Sequence, residues 1–431
     1  MKLYEYGKDN IDLLFETLKE RSFEGRKDVE EAVAGILHNV KERGDQALTE
    51  YTQKFDGVSI YPQTLEVPGS ELSAALSVVD KDLLKVIEKS AANIRAFHER
   101  QKENSWFMTQ EDGTILGQKV TPLNRVGVYA PAGTAPLPST VLMDIIPARV
   151  AGVKEVILCS PPMKDGKVNR LILACAKIAG VDRVFAVGGA QAVGAMAYGT
   201  KTIPMVDKIV GPGNIYVTVA KKQVFGICGI DMTAGPSEVL VIADDKANPE
   251  YVAADLLSQA EHDKLASAIL VTTSIELAAA VGKAILVQAE RLGRNEIIKA
   301  SLDRFGAIVV VPNLDEALKI SNRIAPEHLE ICTEDPFSLL SGIRNAGAIF
   351  LGEYSPEPVG DYFAGPNHTI PTAGTARFFS PLGVYDFVKR SSVISYSRKA
   401  FTEAAPYVAA FAEAEGLQAH AESVKIRIAG D

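Results

Sequence analysis

Apolar residues recur at helical spacing through the first hundred or so residues of the chain. "KDVEEAVAGILHNVKERGDQALTEYTQKF" reads as helix with a break at Gly44, and "ELSAALSVVDKDLLKVIEKSAANIRAFHERQ" as a second long helical region. Near residue 124 the period changes. Short β-branched runs now alternate with helical segments: "RVGVYA", "EVILCS", "RVFAVG" and "DKIVG", then "EVLVIAD", "AILVTTS", "AIVVV" and "AIFLG". Strands alternating with helices predict βαβ units and mostly parallel sheets. Eight such strands are many for one doubly wound sheet, so the pattern predicts an α/β chain with two lobes. The crossing point falls in "CGIDMTAGPSEVLV", where Ala234-Gly235-Pro236 breaks any regular element. In the tail, "FTEAAPYVAAFAEAEG" and "LQAHAESVKIRI" predict two short helices joined at Gly416. They carry little core of their own, so they must dock on this chain or on a partner subunit.

A chain of 431 residues, 47% hydrophobic and 23% charged, is long enough for two domains with real cores and is not disordered. Its formal net charge of −9 speaks against nucleic acid and against an anionic membrane surface as partners. "MKLYEYGKDN" has no apolar core of signal-peptide type, and no apolar run is long enough to span a bilayer. The four cysteines, Cys159, Cys175, Cys228 and Cys332, form no CxxC pair and read as reduced, buried thiols. A soluble cytoplasmic enzyme is the expectation.

Parallel α/β sheets place their sites at the carboxyl ends of strands, and unusual residues gather in those loops. "PAGTAPLPSTVLM" follows "RVGVYA", "GGAQAVGAMAYG" follows "VFAV", and "GPGNIYVT", where Asn214 opens a helix, follows "DKIV". Such loops suit phosphates at helix N-termini or simply pack strand on helix, and "GGAQAVG" is not the GxGxxG fingerprint. The six histidines say more. His38 and His98 sit in amphipathic helices. In "LLSQAEHD", Gln259 and His262 lie three apart and share a helix face. In "RIAPEHLEI", Pro326 ends a helix and "HLEIC" starts a strand, which leaves Glu327 and His328 at an irregular junction: two general bases side by side, or a solvated turn. In "GDYFAGPNHT", Asp361 and His368 lie in a Gly/Pro loop, as a metal ligand or as an Asx-type turn. His420 lies in the tail, five residues after Glu415, and could cap a helix. Gln259, His262, Asp361 and His420 would together make a mixed N/O set of the kind Zn²⁺ or Mn²⁺ accepts, but they form no local zinc motif.

The strings "DKIVGPGNIYVTVAKKQVFG", "AGPSEVLVIAD", "LLSQAEHD", "RIAPEHLEI", "GDYFAGPNHTIPTAGTARF" and "EGLQAHAESVKIR", in that order, closely resemble the histidinol dehydrogenase family, and the likeness runs from the N-terminal helices to the tail. The resemblance implies oxidation of L-histidinol through L-histidinaldehyde to L-histidine with two NAD⁺, the last steps of histidine biosynthesis. It implies two Rossmann-like lobes similar to aldehyde dehydrogenases and a domain-swapped homodimer. The implied organisation is a helical segment over 1–25, a first lobe of 26–123 plus 235–378 with the metal and catalytic loops, a second, NAD-side lobe of 124–234, and a dimerisation tail of 379–431. Carried onto this chain, the ligands of one zinc ion (Mn²⁺ being the alternative) would be Gln259, His262, Asp361 and His420. His420 and Glu415 would come from the partner subunit. Glu327 and His328 would be the acid/base pair, and Ser237 and His368, with the metal ligands and Glu415, would hold substrate. Tyr129, Gln191 and Asn214 would line the NAD site. No cysteine lies in these motifs, which implies a non-covalent route through water. The chain departs from the family's usual residues at Ala132, Leu137 and Lys264. Two other readings stand beside this one: a zinc hydrolase with Glu327 as base, and a two-lobed binding protein without catalysis.

Overall fold

All eight runs read as strands form strands, and they fall into two parallel sheets. The computed structural model describes residues 1–21, 26–132 and 136–428. The Gly/Pro loop after "RVGVYA" lies partly outside these, as does the end of the 1–25 segment. One sheet has six strands in the order Lys2–Glu5, Ala307–Val310, Ser267–Thr272, Glu238–Ala243, His328–Cys332 and Ala348–Leu351, every pair parallel. The other has five in the order Arg183–Ala186, Glu155–Ser160, Arg125–Tyr129, Lys208–Val210 and Gly229–Ile230, again all parallel. The chain leaves the five-stranded sheet at Ile230 and enters the six-stranded one at Glu238, so the crossing falls within the stretch expected for it.

Both sheets belong to one compact unit, Met1–Gln101 with Leu123–Phe387. Its strands are apolar on both faces, as parallel strands covered by helices must be: every residue of Glu238–Ala243 and Ser267–Thr272 is buried. The grouping of the N-terminal part differs from the expected lobes. Lys2–Glu5 is an edge strand of the six-stranded sheet, because Tyr4 and the helix Asp12–Lys19 add their apolar residues to that sheet's core. The helices of residues 27–99, expected with the 235–378 lobe, bury Val33, Leu37, Val40, Leu48 and Ile94 in the core of the five-stranded sheet instead. Their amphipathic stripes fix helicity but not which sheet they cover.

The second unit is Lys102–Pro122 with Val388–Asp431. In it Ile115–Pro122 is the central strand of an antiparallel sheet, between Trp106–Thr109 and Val388–Ser395. Residues 102–122, expected in the first lobe, therefore group with the tail through the ladder from Val388↔Pro122 to Ser395↔Ile115, while 379–387 belong to the first unit. The tail helices are Arg398–Ala414 and Gln418–Lys425, with Gly416 at φ +78° between them. The buried residues of these two helices are alanines: Ala400, Ala405, Ala409 and Ala421. Tyr407 is 80% and Phe411 71% exposed. No helix among the described residues is long and apolar enough to cross a membrane.

Within the first unit, the loop that carries His368 is latched to the helix Pro138–Ala151. Asn367 donates its amide to the Met143 carbonyl at 2.6 Å, and the Thr369 hydroxyl donates to Asp144 at 2.8 Å. Asp144 is fully buried, and burial first, then the nearby Asp231 carboxylate, pushes it up to about 8. A carboxyl whose folded-state pKa is raised gives its stabilisation in full below the ordinary carboxylate range and loses it as pH rises toward the folded value. Asp144→Asn removes that titration and keeps an acceptor for Thr369. In chemical denaturation, the stability of Asp144→Asn relative to wild type is expected to improve by on the order of a few kcal/mol from pH 5 to pH 8. A pH-independent difference would show that Asp144 titrates normally.

Candidate active site

The helix Pro249–Ala260 begins with Asn248, whose side chain accepts the Glu250 N–H, and has Pro249 in its first turn. It ends at Ala260, so His262 falls just beyond the helix that was expected to include it. The His262 N–H still donates to the Gln259 carbonyl at 3.2 Å, which continues the turn and keeps both side chains on one cavity. Gln259 is fully buried, and neither its amide oxygen nor its amide nitrogen has a partner among the described residues. A buried polar atom left unsatisfied costs roughly 1–3 kcal/mol, and this amide is open to a group from outside the chain.

Asp361 is not in an open loop. It lies in a π-helical turn, Gly360–Ala364, that continues the short helix Glu357–Val359. π-Turns are often found at functional sites. Here the turn brings Asp361 and Glu357 together with His262, with one ligand atom of each within 4.8 Å of the others. Burial, then Asp361's charge, raises Glu357 to about 8, and burial raises Asp361 to about 6. Two carboxyls and an imidazole forced this close are costly without a positive charge; a divalent cation reverses that cost. Gln259 oxygen, His262 nitrogen and the carboxylates form a mixed donor set that fits Zn²⁺ or Mn²⁺.

Glu327 and His328 lie at the start of a neighbouring strand. The helix Leu314–Ile324 ends at Ala325, in left-handed conformation at φ +52°, and Pro326 prevents its continuation. Strand His328–Cys332 then pairs with Glu238–Ala243 in the register His328↔Val239, which sets Glu327 beside Glu238. On the other side Gly347 passes so close that a Cβ there would lie 2.5 Å from the Glu327 carbonyl oxygen. The Glu238 N–H donates to Glu327 Oε2 at 2.8 Å, and the Glu238 carbonyl meets His328 Nδ1 at 3.0 Å. A carbonyl can only accept, so Nδ1 carries the proton and Nε2 presents its lone pair. That Nε2 is buried, has no hydrogen-bond partner among the described residues, and lies 3.9 Å from Asp361. Burial drives His328 down to about 3, so the ring is neutral. Burial also raises the Glu327 carboxyl well above its ordinary value, opposed by the Glu238 N–H. His368, held by the Thr369 latch, is lowered to about 4 by burial.

Ser237, Gln259, His262, Glu327, His328, Asp361 and His368 thus line one cavity of about 130 Å³, together with Leu137, Gly211 and Asp231 from the other lobe. A second cavity of about 530 Å³ shares His328, Asp361 and His368 and is walled by Phe97, Phe350 and Tyr385. Ser237, Glu327 and His328 lie at the amino ends of their strands, not the carboxyl ends that parallel sheets usually use. The cleft joins the amino edge of the six-stranded sheet to the carboxyl edge of the five-stranded one, because the chain between them passes directly along it.

Tyr129, Gln191 and Asn214 do not line this cavity; they stand at the carboxyl edge of the five-stranded sheet. The Tyr129 hydroxyl accepts the Gly189 N–H at 3.2 Å, Gln191 Oε1 is buried without a partner among the described residues, and Asn214 caps its helix by accepting from Tyr216 and Val217. Glu415 and His420 belong to the second unit, where they line a groove with Tyr407, Phe411 and Val424. His420 is inside its helix and does not cap it. Of the departures from the usual family residues, Leu137 lines the cavity, and Lys264 is exposed. All four cysteines are buried, and burial raises their thiols, Cys175 to about 12 and Cys228 to about 11. Sequence reasoning missed Glu357, although its four-residue spacing from Asp361 on a helical turn was a readable signal. It also missed Glu238, whose main chain meets Glu327 and His328, and Arg21, whose buried guanidinium meets Glu238.

The model of the family described as "Histidinol dehydrogenase" matches residues 19–428. A histidinol dehydrogenase of Clostridium acetobutylicum is 52% identical over 427 residues, 99% of each chain. One from Aquifex aeolicus is 56% identical over 401 residues, 93% of each chain. The crystal structure of histidinol dehydrogenase from Elizabethkingia anophelis superposes with a TM-score of 0.94 at 38% identity, over 100% of this chain and 98% of that one. With an α/β fold of two parallel sheets, Glu327 and His328 on one cavity and these matches along nearly all its length, the chain belongs to the histidinol dehydrogenase family.

Proposed function

We propose that this chain oxidises L-histidinol through L-histidinaldehyde to L-histidine with two NAD⁺ and one zinc ion per site, as the closing steps of histidine biosynthesis. The observation that carries the reading is the single cavity on which Glu327 and His328, both held by Glu238, meet His262 and Asp361 of the His262–Glu357–Asp361 cluster and the amide of Gln259, which has no partner among the described residues. Family membership removes the support for the hydrolase alternative, since the family is one of dehydrogenases. It also favours catalysis over a binding protein.

Gln259, His262 and Asp361 would hold the zinc ion with His420 of the partner subunit; Mn²⁺ suits the same donors. When bound, the metal supplies a fixed charge that orients the substrate's amino and imidazole nitrogens, and NAD⁺ supplies the hydride acceptor. The rest is done by the chain. His328 Nε2, neutral and aimed at the cavity, takes the hydroxyl proton of histidinol. Glu327, made more basic by burial, takes a proton from the water that adds to the aldehyde. His328 then takes a proton from the resulting gem-diol. Ser237 and His368 line the cavity as substrate contacts, and Glu415 of the partner subunit would add another. Gln191 and Asn214, at helix N-termini, and Tyr129, at the end of a strand beside them, suit the pyrophosphate side of NAD⁺. The raised cysteine thiols suit a route through water rather than a covalent one.

A homodimer is supported by the tail. Tyr407 and Phe411 are exposed beside His420 in one groove, an apolar surface that a second copy of the chain would cover. Cytoplasmic location fits the composition.

Glu327→Gln keeps the acceptor for Glu238 and removes the base. Followed by NADH absorbance, it is expected to slow oxidation of histidinaldehyde about 100-fold or more, and the first oxidation of histidinol far less. Equal loss in both steps would contradict the assignment. Elemental analysis of His262→Asn should show loss of bound metal; full retention would refute the ligand role. Mixing His420→Asn and Glu327→Gln subunits should restore activity through hybrid dimers. No recovery after verified subunit exchange would place the site within one chain.

A further inference from the structure

Arg21 is 2% exposed, and its side-chain bonds to the described residues all go to one small region. Its Nε donates to the Leu265 carbonyl at 2.6 Å, its Nη1 to Glu238 Oε1 at 2.6 Å, and its Nη2 to the Pro236 and Ser237 carbonyls, both at 2.9 Å. Its guanidinium carbon sits 5.7 Å from the centre of the Phe305 ring. The three consecutive residues it grips are the end of the crossing between the two sheets. Leu265 comes three residues after His262. The last gripped residue, Glu238, is the one whose N–H holds Glu327 and whose carbonyl orients His328.

We propose that Arg21 is a positioning residue for the reaction: it clamps Pro236–Ser237–Glu238, and through the Glu238 main chain it sets the places of Glu327 and the tautomer of His328. The inference rests on the functional reading above for what the pair does, but its geometry is independent of that reading. Only a planar guanidinium can meet acceptors on three sides at once; a lysine ammonium in the same place has three donors on one point and a shorter reach. The ladder with His328–Cys332 starts at Val239, and on the other side Glu238 pairs with Ser267, whose N–H donates to the Ser237 carbonyl at 3.0 Å; Arg21 reinforces this edge of the sheet and extends the hold to the Pro236 carbonyl. A displacement of about 1 Å at reacting groups lowers rate on the order of 100-fold, so loosening this clamp is read in kcat before it is read in binding.

The test uses the metal-loaded full chain. In Arg21→Lys, kcat for histidinol should fall about 10- to 100-fold while KM and metal content stay within about threefold. In protein labelled with ¹⁵N-histidine, the His328 ring should be Nδ1-protonated in wild type and a mixture of tautomers in Arg21→Lys. Glu238→Gln is the second variant should Arg21→Lys not fold. It keeps volume and main chain but weakens the grip, and should lower kcat about 3- to 10-fold at unchanged KM with the same direction of tautomer shift. A folded Arg21→Lys with wild-type kcat and an unshifted ring signal overturns the proposal. So does a wild-type-like Glu238→Gln where Arg21→Lys does not fold. Wild type that fails to oxidise histidinol would sink the functional reading, whereas the ring signal would still decide the clamp.

Discussion

Glu238 and Glu327 come together because two parallel strands, Glu238–Ala243 and His328–Cys332, lie side by side in the register His328↔Val239. The main chain of Glu238 then does two things at once. Its N–H steadies the Glu327 carboxylate, and its carbonyl fixes which nitrogen of His328 is free to act as a base. A slip of one residue would turn the side chains to the opposite face of the sheet. The apolar residues around this pair are buried on both faces, so the register is strongly specified. The geometry of Glu327 and His328 is a consequence of core packing.

The surrounding charges follow from the same burial. Removing Glu327, Glu357 and Asp361 from water raises all three carboxyls, and removing His328 and His368 lowers both rings. A site of neutral imidazoles and reluctant carboxyls can hold its bases ready near neutral pH. It also gains from a cation, which turns the crowding of Glu357 and Asp361 into attraction. Glu238's own carboxylate, inside the same core, is met by Arg21, so the strand that supports the bases carries a matched charge and not an isolated one.

Much of this was legible in the chain and some was not. The strands announced themselves by β-branched runs, and the crossing by Ala234-Gly235-Pro236. The junction at Pro326 marked Glu327 as irregularly placed, whereas His328 is the first residue of a regular strand. The helices of residues 27–99 gave their period but not their sheet, because an apolar stripe does not name its partner. Lys2–Glu5 is too short to stand out before it pairs. His262 was placed on a helix that stops two residues earlier, an ordinary uncertainty at a helix end. The parts of Glu238 and Arg21 are carried by main-chain groups and by a long-range grip, neither of which leaves a periodic trace. The convergence of residues from 237 to 368 on one cavity is a property of the crossing between sheets, and only the family resemblance pointed to it from sequence.

In the proposed reaction one cavity serves both oxidations, with His328 as the base in each and Glu327 activating water between them. The most direct measurement is the stoichiometry of a complete reaction: limiting L-histidinol, excess NAD⁺ and metal-loaded protein, with NADH read by absorbance and product by chromatography. The account predicts two NADH and one L-histidine for each L-histidinol consumed. One NADH with histidinaldehyde released, or no NADH from intact metal-loaded protein, would contradict it.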